Sequence, residues 1–279
     1  MPVEKINVGR FNISVRIEGE GKKGDIMLIH CLGLSNRVFD RQAEFLSELG
    51  WRVFLPDVRC HGESDKPEDE CNIYDITQDI EVAIKKLGIK KLYALGGISM
   101  GGMISMRLVL RNPELTDKLI LMGTSADEDP GRERFMPMIL NLLQTVKNEK
   151  DPEVLKENFR NAAEYVVRLC FSPQYLEKDN NFDFWVSEAL KSQGLGAIYV
   201  SKAVIERDSI IDKISSISVP TLIMAGSNDM AVPVRESEKI AQKIKKSKLV
   251  IFDSAPHIFT PEIPDKVNAE IEKFLYSKD

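Results

Sequence analysis

The chain has 279 residues, of which 43% are hydrophobic and 29% charged, enough for one large domain or a core with a smaller insertion. Its formal net charge of −5 excludes the overall basic character of most nucleic-acid-binding proteins. The start, MPVEKINVGR, lacks the apolar stretch of a signal peptide, and no apolar run reaches the roughly 20 residues of a membrane span. We therefore expect a cytoplasmic protein that binds neither nucleic acid nor membranes.

Short apolar runs typical of β-strands recur along the chain. The first two, 3–8 and 11–18, predict a hairpin that turns near Gly9. Six further strands are predicted at 25–30, 52–57, 91–97, 118–124, 220–226 and 248–254. Most are continuously apolar, as in parallel strands covered on both faces, and helical segments fit between them at about 37–49, 75–87, 100–111, 234–246 and 264–277. This alternation predicts an α/β fold, with a mostly parallel eight-stranded sheet and helices on both faces.

The alternation breaks between about 125 and 215, where no clear strand is found but several helices begin. Asp151-Pro152 and Ser172-Pro173 each place a capping residue before a proline at the first helical position. An all-helical insertion of this length predicts a cap over the edge of the sheet. The predicted domains are therefore a core formed by 1–124 and 215–279 and a helical cap formed by 125–214.

The stretch GGISMGG contains the pattern Gly97-x-Ser99-x-Gly101 between a predicted strand and a predicted helix. A serine at such a turn is held in a strained conformation, and the flanking glycines remove side chains that would clash. The turn would expose the hydroxyl of Ser99 above the sheet, near a helix N-terminus that favours developing negative charge. The alternative, a phosphate-binding glycine-rich turn, lacks the Lys-Ser/Thr ending of a P-loop.

A serine nucleophile needs a base, and the base needs an acid to orient it. Of the three histidines in the chain, His257 follows the last predicted strand in a loop that can reach back over the sheet edge. Asp229 follows the strand before it, so that the order along the chain is Ser99, Asp229, His257. Asp127 and Asp253 are the alternative acids, since each also lies at the end of a predicted strand.

Together these features resemble the α/β-hydrolase superfamily, and most of all its branch of capped esterases, enol-lactonases and C–C hydrolases. The resemblance covers essentially the whole chain and is carried by HCLGLS, PDVRCHGESDKP, GGISMGG, PTLIMAGSNDMAVP and APHIF. It implies an oxyanion hole formed by the backbone amides of Leu32 and Met100. It implies neither a cofactor nor a metal ion.

Two cysteines depart from the pattern of that family, because Cys31 and Cys60 stand where it usually has glycine. If position 31 needs a positive φ, cysteine there is strained. Because His30 and His61 are their neighbours, a metal site is an alternative, but we expect buried thiols and histidines that fix loops. The other two cysteines are Cys71 and Cys170, and none of the four forms a Cys-x-x-Cys motif, which favours a reducing compartment.

The sequence thus predicts a serine hydrolase of carboxylic esters or lactones, active on a small-molecule substrate as a monomer or homodimer. The cap is rich in methionine, leucine and aromatic residues, so we expect uncharged acyl groups of small to medium size. Two alternatives use the same fold. One is a C–C hydrolase or a cofactor-free perhydrolase (haloperoxidase) with the same triad, and the other is a non-catalytic ligand receptor.

Overall fold

The computed structural model describes residues 2–277, and its strands form one eight-stranded sheet. The strands are β1 (Val3–Asn7), β2 (Asn12–Glu18), β3 (Asp25–Ile29), β4 (Arg52–Pro56), β5 (Leu92–Ile98), β6 (Thr116–Met122), β7 (Thr221–Gly226) and β8 (Ser247–Phe252). Their order across the sheet is β1-β2-β4-β3-β5-β6-β7-β8. Strands β1 and β2 form an antiparallel hairpin, β2 is antiparallel to β4, and the six strands β3 to β8 are parallel to one another. The carboxyl ends of these six strands therefore lie at the same edge.

Ten helices accompany the sheet within the described residues. They are α1 (Asp40–Glu48), α2 (Ile73–Lys86), α3 (Met100–Arg111), α4 (Arg132–Asn148), α5 (Pro152–Cys170), α6 (Pro173–Leu176), α7 (Asn181–Leu190), α8 (Leu195–Ile205), α9 (Val234–Lys243) and α10 (Pro264–Tyr276). Because side chains alternate along a strand, Ile26 and Met27 of β3 belong to different apolar cores. The core that contains Ile26 includes side chains of α1 and α10, and the core that contains Met27 includes α2, α3 and α9. The sheet is thus covered on both faces, as its continuously apolar strands predict.

The five helices α4–α8 all lie between β6 and β7 and form the inserted helical cap. The cap contributes to both cores, because Val167 of α5 packs in the core of α1 and α10 while Val200 of α8 packs in the core of α2 and α3. Asp151 caps α5 as predicted, since its side chain accepts a hydrogen bond from the amide of Glu153. The predicted boundaries of the cap, 125 and 214, stay a prediction.

The α/β fold, the mostly parallel sheet and the inserted cap are confirmed, and the predicted elements differ from the observed ones only at their ends. The turn at 36–39 is a 3₁₀ helix that precedes α1, and α9 ends at Lys243 rather than near residue 246. Within residues 2–277, no helix combines the length and the apolar character needed to span a membrane.

Candidate active site

Ser99 lies in the turn between the end of β5 and the start of α3. Its backbone has φ 55° and ψ −117°, a region that only a well-supported serine can hold. The support comes from the last residue of the neighbouring strand β6 and from the segment that follows it. The amide of Ser99 donates to the carbonyl of Met122 at 2.8 Å, and its carbonyl accepts the hydroxyl of Thr124 at 2.7 Å. The strained turn predicted from the glycine pattern is therefore present.

The glycines around Ser99 are required by close backbone contacts. A Cβ atom on Gly97 would lie 2.3 Å from the carbonyl carbon of Gly101. A Cβ atom on Gly101 would lie 1.9 Å from the carbonyl oxygen of Ile29, at the end of β3. Neither contact can be relieved by moving a side chain, because both partners are main-chain atoms. The start of α3 can thus approach the sheet this closely only with glycine at both positions.

This close approach predicts a large loss of stability in Gly101→Ala. We expect the free energy of unfolding to fall by about 3 kcal/mol or more, since α3 must move away from β3. Urea unfolding followed by circular dichroism measures it. Gly88→Ala is the control, because Gly88 has a positive φ (71°) but open space around its Cβ position, so that only about 1–2 kcal/mol of backbone strain is expected. Equal losses in the two variants would contradict the steric argument.

Asp229 and His257 form a buried hydrogen-bonded pair. Asp229 follows β7 and His257 follows β8, and the distance between Oδ2 of the aspartate and Nδ1 of the histidine is 2.7 Å. The other carboxylate oxygen accepts the amides of Ala231 and Val232 at 2.9 and 2.7 Å, which fixes the carboxylate plane. A carboxylate accepts only, so Nδ1 carries a proton, and in this tautomer Nε2 is the ring nitrogen that can accept one.

The segment that supports Ser99 also contacts this pair. Gly123 lies between Met122 and Thr124, and a Cβ atom there would lie 3.3 Å from Oδ2 of Asp229 and 3.4 Å from Nδ1 of His257. The residues at the end of β6 therefore contact both the turn of Ser99 and the Asp229–His257 pair, at the carboxyl edge of the sheet. That the three residues act as one triad stays a prediction. Within residues 2–277, neither the Ser99 hydroxyl nor Nε2 of His257 has a hydrogen-bond partner.

The two alternative acids point elsewhere. Asp127 forms an ion pair with Lys239 at 3.1 Å. Asp253 is exposed, and its nearest hydrogen-bond partner is the hydroxyl of Ser227 at 3.5 Å. Of the three candidate acids, only Asp229 contacts the histidine.

The predicted oxyanion donors lie on two different elements near Ser99. Leu32 belongs to the loop after β3, and Met100 is the first residue of α3. Within residues 2–277, neither amide donates a hydrogen bond to another protein group. An oxyanion hole needs two amides without protein partners, and their joint action on one oxygen beside Ser99 stays a prediction.

His30 and His61 fix the loops that follow β3 and β4. Nε2 of His30 accepts the amide of Val58, and Nε2 of His61 accepts the amide of Gly33, each at 2.9 Å. Their Nδ1 atoms bond to backbone carbonyls. Burial lowers the pKa of His30 to about 4 and that of His61 to about 3, so both rings are neutral at pH 7. This confirms the loop-fixing prediction, and no three His, Cys, Asp or Glu side chains in the described range could hold a metal ion.

The prediction of backbone strain at Cys31 is wrong. The cysteine with a strained, positive φ is Cys60. Cys31 does not adopt a positive φ, whereas Cys60 has φ 65°. The positive φ of the loop after β3 falls on Gly33, at 77°, so this loop has glycine where it needs one. Both thiols are buried, which raises the pKa of each to about 12. They act as small apolar groups rather than as nucleophiles.

Four contacts between the cap and the site loops were not predicted from the sequence. Two involve the loop after β3: Val166 of α5 packs against Gly33, and Glu188 of α7 accepts the hydroxyl of Ser35 at 2.6 Å. The other two join the end of α5 to the loop that follows His257. All four depend on pairs separated by 88 or more residues along the chain, and no local motif indicates such pairs.

A surface groove of about 370 Å³ lies at the opposite edge of the sheet. Residues from the beginnings of β7 and β8 and from the end of α10 line it. Since the candidate site lies at the carboxyl ends of the strands, the groove is separated from Ser99 by the length of the sheet.

Comparison with known proteins agrees with this architecture. A family model described as the alpha/beta hydrolase fold matches residues 26–262, which is most of the chain. The chain belongs to this family. Among solved structures, the enol-lactonase of Burkholderia xenovorans has a TM-score of 0.86 at 23% identity, with 98% of this chain and 100% of that chain covered. At this identity the likeness shows the fold alone.

Two curated family members are similar over nearly their whole length. The AB hydrolase superfamily protein YisY of Bacillus subtilis is 26% identical over 275 residues, which cover 95% of this chain and 97% of YisY. The non-heme haloperoxidase of Rhodococcus erythropolis is 25% identical over 274 residues, which cover 92% of this chain and 94% of that protein. The family and the fold establish a hydrolase in the broad sense, and the reaction has to be argued from the site.

Proposed function

We propose that this protein is a serine hydrolase that cleaves carboxylic esters or lactones through an acyl-enzyme intermediate. The observation that carries the proposal is the buried Asp229–His257 pair, 2.7 Å apart, beside a serine in a strained turn. Such a turn costs folding free energy and persists because the surrounding structure enforces it. A nucleophile explains why this chain places a serine there.

In this proposal each residue of the triad has one role. His257 Nε2 takes the proton of the Ser99 hydroxyl as the oxygen attacks the carbonyl carbon, and later gives it to the leaving alcohol. Asp229 keeps the imidazole in the tautomer that accepts at Nε2 and stabilises the imidazolium that forms. Water then attacks the acyl-enzyme by the same path, with His257 again as the base. Each oxyanion donor, Leu32 and Met100, contributes on the order of 10²–10³ in rate.

The preferred substrates in this proposal have uncharged acyl groups of small to medium size. Val166 of the cap packs over Gly33, next to Leu32, and gives the roof of the site an apolar side chain close to the oxyanion loop. The cap aromatics Phe171 and Trp185 are buried and stacked on each other, so they support this roof rather than bind a substrate. A lactone presents the same kind of carbonyl carbon to Ser99 as an open ester, so the proposal includes both.

A fluorophosphonate probe tests the nucleophile, and p-nitrophenyl esters test the substrate range. We expect the Ser99 oxygen to bond to phosphorus with loss of fluoride, and mass spectrometry to find the label on the peptide that contains Ser99. We expect hydrolysis of acetyl to octanoyl esters, with little activity on acyl chains that end in a carboxylate. A label on another residue, or the best activity on charged acyl groups, would overturn the respective part of the proposal.

The haloperoxidase relative favours perhydrolysis as the second candidate. Here hydrogen peroxide takes the place of water and attacks the acyl-enzyme, which releases a peracid; the peracid then oxidises halide outside the protein. Bromination of an indicator that requires both acetate and hydrogen peroxide, at a rate above ester hydrolysis, would support this reaction over the first.

A further inference from the structure

The loop that follows His257, residues 258–262, is joined to the end of the cap helix α5. The carbonyl of Cys170, the last residue of α5, accepts the amide of Ile258 at 2.9 Å. Both oxygens of Glu262 bind Ser172: one accepts its amide at 2.8 Å and the other its hydroxyl at 2.6 Å. Two residues of the cap thus hold both ends of this five-residue loop.

The Ser172–Glu262 contact restrains the orientation of both residues. A carboxylate that accepts two hydrogen bonds from one residue fixes its partner in orientation as well as in distance. The contact is partly shielded from solvent, and burial raises the pKa of Glu262 although both bonds from Ser172 oppose this. The neighbouring bond from the amide of Ile258 supplies a partner for the carbonyl of Cys170, which has none further along α5. Together the two contacts join the end of α5 to the 258–262 loop.

The other side of the 258–262 loop is held by the core. The hydroxyl of Thr260 donates to the carbonyl of Val38, and its carbonyl accepts the side-chain amide of Gln42. Ile258 and Phe259 are fully buried. These contacts fix the loop against α1. The loop residues that make them lie only one to three positions after His257. The cap contacts are a further restraint on the loop.

We propose that Glu262 is a positioning residue, which holds the end of the cap through Ser172 against the loop that carries His257 and thereby sets the place of Nε2 relative to Ser99. The inference rests on the proposed hydrolase function and adds to it that part of the catalytic geometry comes from the cap. The Asp229 contact restrains the ring from one side. The 258–262 loop restrains the backbone from the other side, so losing Glu262 lets the ring shift without losing its hydrogen bond to Asp229.

The test compares Glu262→Ala, Glu262→Gln and Ser172→Ala by kcat and KM for a p-nitrophenyl ester and by the rate of fluorophosphonate labelling. We expect Glu262→Ala to lower kcat and the labelling rate about tenfold or more, because small misplacements of reacting groups are costly, while KM changes less than about twofold. Glu262→Gln keeps an acceptor for one of the two bonds and should recover part of the rate. Ser172→Ala loses the hydroxyl bond to Glu262 and also the capping bond that the hydroxyl accepts from the amide of Tyr175 at 3.2 Å, but it keeps the amide bond to Glu262. Its kcat should fall between those of the wild type and Glu262→Ala.

The double variant Ser172→Ala/Glu262→Ala adds a second criterion. If the two residues act as one unit, its kcat equals that of Glu262→Ala, whereas independent residues give the product of the two losses. Glu270→Ala is the matched control, because Glu270 on α10 pairs with Lys248 and Lys273 at the surface. We expect it to have the kcat and labelling rate of the wild type.

The results separate the two proposals. Wild-type kcat and labelling in a folded Glu262→Ala variant, with only a lower melting temperature, would overturn the positioning role and leave the hydrolase proposal intact. A wild-type protein that neither hydrolyses esters nor is labelled at Ser99 would overturn the hydrolase proposal itself. If Glu262→Ala does not fold, Ser172→Ala and Glu262→Gln decide the question, since each keeps at least one bond: a lowered kcat at unchanged KM supports the role, and an unchanged kcat overturns it.

Discussion

Ser99→Ala should reduce turnover of every ester substrate to the background rate, a loss on the order of 10⁶-fold in kcat. The methyl group of alanine cannot attack a carbonyl, and the oxyanion hole and substrate binding alone leave only a small residual rate. The fold should remain, because the backbone contacts of residue 99 with Met122 and Thr124 do not involve its side chain. Active-site titration with a fluorophosphonate and steady-state hydrolysis measure the effect, and thermal unfolding verifies the fold.

The control for this variant is Ser105→Ala, a serine on the helix α3 that follows Ser99. Its hydroxyl donates to the carbonyl of Gly101 within the helix at 2.8 Å and takes no part in the proposed chemistry. We expect nearly unchanged kcat and at most a small change in the free energy of unfolding. Turnover by Ser99→Ala above about one per cent of wild type would end the serine hydrolase proposal, because such a loss is far too small for a nucleophile.

Asp229→Asn has the second largest expected effect, a loss of about 10⁴-fold in kcat. The asparagine can keep the bonds from Ala231 and Val232 through its carbonyl oxygen, so its amide group faces Nδ1 of His257. The side-chain amide donates a hydrogen bond to Nδ1, whereas the carboxylate oxygen accepted one from it. The ring then carries its proton on Nε2, the atom that has to accept the proton of Ser99.

Asp127→Asn tests the alternative acid in the same assay. Asp127 pairs with Lys239 rather than with the histidine, so we expect kcat to change less than about twofold. The outcome that contradicts the assignment is the reverse order, with a severe loss in Asp127→Asn and a mild one in Asp229→Asn.

Much of the fold could be predicted from local patterns in the sequence. The strands are predicted close to their observed bounds because most of the parallel ones are short, continuously apolar and separated by helices, a pattern typical of a parallel sheet that is covered on both faces. Because prolines at 152 and 173 come after capping residues, the starts of α5 and α6 could also be predicted. The glycine pattern around Ser99 indicates the turn, because only glycine permits the approach of α3 to β3 that Gly101 makes.

The candidate site could be predicted in part, for a topological reason. Ser99, Asp229 and His257 each lie just beyond the end of a parallel strand, and parallel strands bring their carboxyl-terminal loops to the same edge of the sheet. The choice between Asp229, Asp127 and Asp253 cannot be made from this topology. All three lie in such loops, and only the path of each loop decides which carboxylate reaches the ring. The same holds for the positive φ angles in the loops after β3 and β4, which lie at Gly33 and Cys60 and not at Cys31.

The sequence by itself therefore determined the elements, their α/β class, the strained serine turn and a short set of candidates for the base and the acid, because each of these depends on the periodicity or the backbone geometry of a few neighbouring residues. Only the tertiary structure decided that Asp229 is the partner of His257 and that Ser172 of the cap meets Glu262 behind it. These contacts join residues 28 and 90 positions apart. Their energies depend on distances of less than 3 Å, which are set when the packed helices and strands fix the loops between them. No local pattern of residues predicts such a distance.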